Sequence, residues 1–209
     1  MRRIQYVLIA ALGFAMAGAA RAEGTPLFPG TFGPPLLSGF GGTSLLNSGS
    51  SAFASGGLFG TLFWEVWSDS ANSVLSGNEF AYRFVLDGSE PVHRMTVNNF
   101  DGALTNVANS PFGSGTAATS ADRSVSGNSI GFDFAGSVLP GGASDWLVVF
   151  TNGTTIGPAV ASFIDGASVS TATVSLVPEP ETYAMLLAGI GFLGFIARRR
   201  RGYRSALAA

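Results

Sequence analysis

The 209-residue chain contains no cysteine, no lysine and one histidine, His93. Without cysteine there is no disulfide scaffold, no thiolate zinc site and no cysteine nucleophile. A lone imidazole excludes the usual multi-histidine metal centres, so neither metal nor cofactor is expected. Charge is sparse, at 11% of residues. Asp69, Asp101, Asp122, Asp133, Asp145 and Asp165 sit near expected loops, but no DxDxDG spacing exists, which leaves only a weak calcium signal. Residues 23–177 hold three arginines (Arg83, Arg94 and Arg123) against eleven carboxylates, an excess of eight negative charges. An acidic body without lysine is repelled by a phosphate backbone, which argues against nucleic acid as a partner.

Long apolar runs are few, and they lie at the two ends. Residues 1–22 read as a signal peptide. Arg2 and Arg3 form a positive start and Val7 to Ala17 an apolar run. Ala20-Arg21-Ala22 is a small-x-small cleavage signal, placing the cut before Glu23. The run is shorter than the ~20 apolar residues of a spanning helix, which disfavours the alternative of an uncleaved anchor. Ile4 and Gln5 do not fit twin-arginine export, so signal peptidase and the general secretion machinery are the expected partners.

At the other end, Tyr183 to Ala197 is fifteen residues without charge, followed at once by Arg198, Arg199, Arg200 and Arg201. As a helix this segment spans ~22 Å, short of the ~30 Å hydrocarbon core but tolerable with thinning and snorkelling. An arginine cluster beside an apolar span stays cytoplasmic, which places the body across the inner membrane. The signal peptide demands the same topology independently. Pro178, Glu179 and Pro180 precede the span. Proline there favours an extended, accessible strand, which a processing enzyme can grip.

Pro-Glu-Pro, a short apolar span and an arginine cluster near the chain end, paired with a signal peptide, resemble the PEP-CTERM sorting signal of Gram-negative bacteria. The resemblance covers about thirty residues, 178–201 with what adjoins them, leaving 202–209 as a cytoplasmic tail. It implies recognition by exosortase, an integral membrane processing enzyme, transient anchoring in the inner membrane, and delivery to the cell surface or extracellular matrix. It also implies association with exopolysaccharide and biofilm. A permanent tail anchor is the rival reading. Gly189-Ile190-Gly191-Phe192-Leu193-Gly194 spells GxGxxG, but it lacks the strand and βαβ frame of a dinucleotide site.

Between these ends, residues 23–56 are rich in Gly, Pro and Ser and read as a loosely ordered lead-in with at most one short strand. Residues 57–177 read as the folded domain. Strands are expected at Leu58–Trp67, Glu79–Asp87, Val92–Phe100, Ile130–Val138, Ser144–Thr151, Val160–Asp165 and Val169–Val177. Period-two alternation carries these assignments, most cleanly in Glu79–Asp87 with Phe80, Tyr82, Phe84 and Leu86 on one face. Asp87-Gly88, Asp101-Gly102 and Asp165-Gly166 mark turns in which glycine supplies a positive φ. The expected fold is all-β, an antiparallel sandwich of jelly-roll or immunoglobulin-like outline, with a C-terminal transmembrane sorting helix. Gly131-Phe132-Asp133-Phe134 and the stretch from Thr151 to Gly166 also resemble regions of exported β-rich proteins with this tail.

Candidate chemistry in the body is thin. Trp64, Trp67 and Trp146 offer flat faces for stacking sugar rings, although tryptophans at such positions are also ordinary core residues. Trp64 and Trp67 differ in parity, so a regular strand turns at most one of them to the core. Glu65 and Glu79 are the best carboxylate pair for glycoside cleavage, but solvent-facing acids occur on every sandwich. His93 has no triad companions. Asn152-Gly153-Thr154 matches a glycosylation acceptor but reads as a turn. No catalytic residues are assigned. The body is expected to be a non-enzymatic surface or matrix component, with a lectin-like carbohydrate-binding module as the alternative and a polysaccharide hydrolase third.

Overall fold

A computed structural model describes residues 26–68, 75–110, 112, 114–165, 167–177, 190 and 192. The chain divides into two compact units, Met1–Val177 and Pro178–Ala209. Of the second unit only Ile190 and Phe192 are described, both helical. The sorting residues, the rest of the expected membrane helix, and the signal peptide with Ala20, Ala22 and Glu23 lie outside the described residues. Among the described residues no helix is long and apolar enough to cross a membrane.

The described residues of the first unit are all-β. Among them twelve strands are found: β1 (Phe32–Gly33), β2 (Leu36–Leu37), β3 (Ser44–Ser55), β4 (Leu58–Ser68), β5 (Asn78–Leu86) and β6 (Val92–Val97), then β7 (Thr105–Ser110), β8 (Ser120–Arg123), β9 (Ile130–Val138), β10 (Trp146–Thr151), β11 (Ile156–Asp165) and β12 (Ala167–Leu176). They form two six-stranded sheets. Sheet A runs β1-β8-β9-β6-β11-β12 and sheet B runs β2-β7-β10-β5-β4-β3. Ladders are antiparallel except β2–β7.

Alternation decides which side chains meet between the sheets. β5 turns Phe80, Tyr82, Phe84 and Leu86 inward, and β4 adds Leu58, Leu62 and Val66. Sheet A answers with Met95, Val97, Ile130, Phe132, Phe134 and Phe163 in the same cluster. Phe84 meets Phe134 and Phe163 edge-on, at centroid distances of 5.7 and 5.1 Å, while Phe53 stacks on Phe163 at 4.0 Å. Such ring pairs add about 0.5–1.5 kcal/mol each beyond burial of their area.

The sheets are also fastened along one edge, where β3 meets β12. Ser51 Oγ donates to Ala172 O (2.5 Å) and Thr171 Oγ1 to Ala52 O (2.8 Å). The buried Tyr82 hydroxyl donates to Val174 O (2.7 Å), and its burial pushes the phenol well above its usual pKa. Elsewhere Arg123 acts as a clamp. Its buried guanidinium donates to Gly127 O, Leu27 O and Phe100 O, at 2.9, 3.3 and 2.8 Å.

Three features depart from the expectation. The lead-in 23–56 supplies three strands, including the twelve-residue β3. Ser and Gly there are paired to β4 through the backbone, so the ladder rather than side-chain burial makes the strand. β7 and β8 also stand where no strand was expected. β7 is buried throughout yet polar, because Asn109 satisfies both backbone groups of Ala118 it faces, through its Nδ2 and Oδ1. Finally, Gly102 has the positive φ expected of its turn (73°), but Gly88 does not. Glycine is needed at Gly88 because any Cβ would collide with Gly57 O.

Candidate functional site

The outer face of sheet B holds Glu65, Trp67, Glu79 and Trp146, four of the five tryptophan and glutamate candidates. Inward residues of β4 are even-numbered, so Phe59, Thr61, Phe63, Glu65 and Trp67 point outward. β5 turns Glu79, Ala81, Arg83 and Val85 the same way. Part of this face is roofed. Ala81, Ala108, Val148, Phe150 and Leu75 form a second apolar cluster, over which Leu36, Phe40 and Trp146 pack. Phe40 and Trp146 lie 5.0 Å apart between ring centroids.

The three tryptophans therefore do not form one platform. Trp64 faces the main core and its indole N–H donates to Asn47 Oδ1 (2.9 Å). Its ring occupies the space over Gly49, where a Cβ would collide with it. Trp146 packs against Phe40. Trp67 lies on the outer stripe, as the parity difference from Trp64 requires. Its indole N–H donates to Glu65 Oε2 (3.0 Å), which ties the ring to the carboxylate two residues back. Partial burial holds the Glu65 carboxyl above its ordinary pKa, and the bond from Trp67 pulls it partly back. Phe59, exposed, and Phe63, half-buried, extend the stripe. Neither was singled out by sequence, although the i, i+4, i+8 spacing with Trp67 places all three on one strand face.

Glu79 stands opposite Trp67 on the neighbouring strand, and Glu65 opposite Ala81. Glu79 is fully buried and accepts the Gly41 N–H at 2.9 Å. Of this carboxylate pair, only Glu65 reaches solvent. On sheet A, Arg94 binds Asp122 and Asp133 at 2.6 Å each, and Asp133 also accepts Ser120 Oγ at 3.3 Å. His93 Nε2 lies 3.2 Å from Asp165 Oδ1, and Asp145 Oδ1 accepts the Gly115 N–H at 2.8 Å. Among the described residues no group of three His, Asp or Glu side chains is placed to hold a metal. Asn152 opens the turn after β10, its Oδ1 accepting Leu104 N–H at 2.8 Å.

The last strand of sheet A, β12, ends at Leu176, and Val177 N–H closes it by donating to Thr155 O (3.0 Å). Residues 176–201, which begin on that terminal residue of β12, match the PEP-CTERM protein-sorting motif. The chain carries a PEP-CTERM sorting signal. It is thus an exported protein with exosortase as its processing partner, anchored transiently in the membrane before release toward the surface. The match contains Pro178, Glu179, Pro180 and the four arginines Arg198 to Arg201. No curated protein and no solved structure matches the chain.

Proposed function

We propose that the two-sheet body is a β-sandwich that serves, after exosortase processing, as a non-enzymatic surface or extracellular-matrix component associated with exopolysaccharide in a biofilm. The observation that carries this reading is the junction at Leu176: the last strand of the folded unit ends on the residue at which the sorting motif begins. Processing within Pro178–Pro180 then removes only the tail and leaves every strand intact. The commitments of the acidic side chains also support it, since Glu79 is buried and Glu65 is held by Trp67. Mass spectrometry of the exported protein tests the sorting half. The expected product begins at Glu23 and ends near Pro180; an exported product retaining Arg198 to Arg201 overturns it.

A carbohydrate-binding, lectin-like role is the second reading, favoured by the outward stripe Phe59, Phe63 and Trp67 with Glu65 between the last two. Pyranose C–H faces stack on such rings while their hydroxyls bond to the carboxylate. Pull-down on the host's own exopolysaccharide separates the readings. Loss of binding in Trp67→Ala, with Trp64→Ala as the inward-facing control, supports the lectin. Binding by both variants at wild-type level places the association elsewhere.

A further inference from the structure

β7 lies one place from the edge of sheet B, and its only outer neighbour in the sheet is the two-residue β2. Two ties hold the lead-in against it. Leu27 N–H donates to Thr105 O (2.7 Å), and Leu36 pairs with Ala108. Between these ties the chain leaves β7 to form β1 on sheet A, where Phe32 stands opposite Asp122. It returns through Pro34 and Pro35, which carry no N–H to offer a strand edge. Asn106 and Val107 therefore border a gap instead of a paired strand. The gap is a cavity of about 350 Å³, walled by Pro26, Phe28, Phe32, Pro34 and Leu36 together with those two residues.

Asn106 distinguishes this cavity from a packing fault. The residue is 6% exposed, and its Oδ1 accepts the Val107 N–H at 2.8 Å. No described residue accepts from its Nδ2. That nitrogen is not among the sealed polar atoms either, so it opens on the cavity that the residue lines. A nearly buried amide donor without an acceptor is costly, and an acceptor in the cavity relieves that cost. The other polar side chain of the lining, Thr31, already spends its hydroxyl on Phe28 O (2.6 Å). At the rim, Phe28 and Phe32 line the cavity while staying 50% and 83% exposed. Their rings thus have apolar area still to bury.

We propose that this cavity binds a small uncharged ring compound whose carbonyl oxygen accepts from Asn106 Nδ2. The lining selects that class. It contains no ionisable side chain, so an ionic ligand would shed its hydration and meet no counter-charge. The eight excess negative charges of the body repel anions further. The unspent polar group is a donor, so the ligand must bring the acceptor. Flat walls of phenylalanine and proline suit a ring better than a flexible chain. The volume lies at the small end for ligand sites, which limits the occupant to one or two rings. The inference is independent of both the sorting and the carbohydrate readings.

The test titrates the processed protein, recovered from exporting cells, with the neutral naphthalene ketone dye prodan and follows its emission. The expected result is saturable binding at one site with blue-shifted emission. Asn106→Asp keeps the acceptor for Val107 N–H but replaces the donor with a charge, and is expected to weaken binding at least about tenfold. Phe32→Ala removes a rim ring too exposed to matter for folding, and is expected to weaken binding about fivefold. Leu139→Ala, at an apolar residue 62% exposed elsewhere, leaves binding unchanged. If Asn106→Asp fails to fold, Phe32→Ala decides. Absence of saturable binding overturns the proposal, as does wild-type affinity in either folded cavity variant. Binding that appears only after residues 23–25 are deleted assigns the cavity to the chain's own lead-in and overturns it as well.

Discussion

Sheet A turns Arg94, Asp122, Asp133 and Ser120 to its outside, whereas sheet B turns Ala81, Val148, Phe150 and Trp146. The inner faces of the two sheets are alike, both apolar and rich in phenylalanine. Their outer faces follow different rules. Sheet A meets water with an ion-paired patch on alternate residues, the usual half-wet antiparallel pattern. Sheet B instead carries a second apolar cluster, and the chain must bring Leu36, Phe40 and Leu75 to cover it. Gly- and Pro-rich sequence therefore acts as a lid for part of that face, while the β4 stripe stays half-buried, with Phe59 exposed. Burial on both faces also explains why β5, β7 and β10, the inner strands beside that cluster, are buried along most or all of their length.

The contrast predicts a graded series of stability losses. Phe84→Ala removes a ring that touches both sheets and is expected to cost about 3–5 kcal/mol, read as a large fall in the urea midpoint. Phe150→Ala empties the outer cluster of sheet B and is expected to cost about 3 kcal/mol, the low end for a buried ring, because the cluster is small. A loss as small as that of a surface substitution would mean that the roof over Phe150 is not a real second core. Arg94→Ala, on the outside of sheet A, breaks two partly exposed ion pairs and is expected to cost roughly 1 kcal/mol. That loss should shrink in high salt, since exposed pairs are screened.

The smallest effect concerns Glu65. Its carboxyl is raised above 4.5 by burial, partly offset by Trp67. A raised folded-state pKa favours the protonated form. Its contribution to stability is therefore complete below the unfolded value and is lost as pH rises through the folded one. Glu65→Gln keeps an acceptor for the Trp67 indole N–H but never ionises. The variant is expected to melt with wild type in acid and to gain on it toward neutral pH; a gap that stays constant with pH would show that Glu65 is not held above its ordinary value.

Much of the fold was readable where side chains alternate against a single core. β9 has the bounds expected, Ile130–Val138, and β5 differs by one residue at each end. β3 was not readable because a strand held mainly by backbone pairing needs no apolar alternation, and eleven of its twelve residues are half-buried or exposed. β7 was not readable because its inward Thr105 and Asn109 look like loop residues until their bonds to Leu27 and Ala118 are seen. At the candidate site, parity alone separated Trp64 from Trp67. The covering of Trp146 by Phe40 and the burial of Glu79 beneath Gly41 depend on contacts between residues 38 to 106 positions apart in sequence, which no local pattern encodes.

The seam of Ser51, Thr171 and Tyr82 bears on life outside the cell. Many exported domains are stapled by sulfur, and such staples open or shuffle when the surrounding redox potential changes. Here hydroxyl groups reach across the join to carbonyl oxygens of the facing sheet, and that chemistry is indifferent to oxidants and reductants. Mechanical registry between the two layers should accordingly persist from aerated to anoxic surroundings without any enzyme to maintain it.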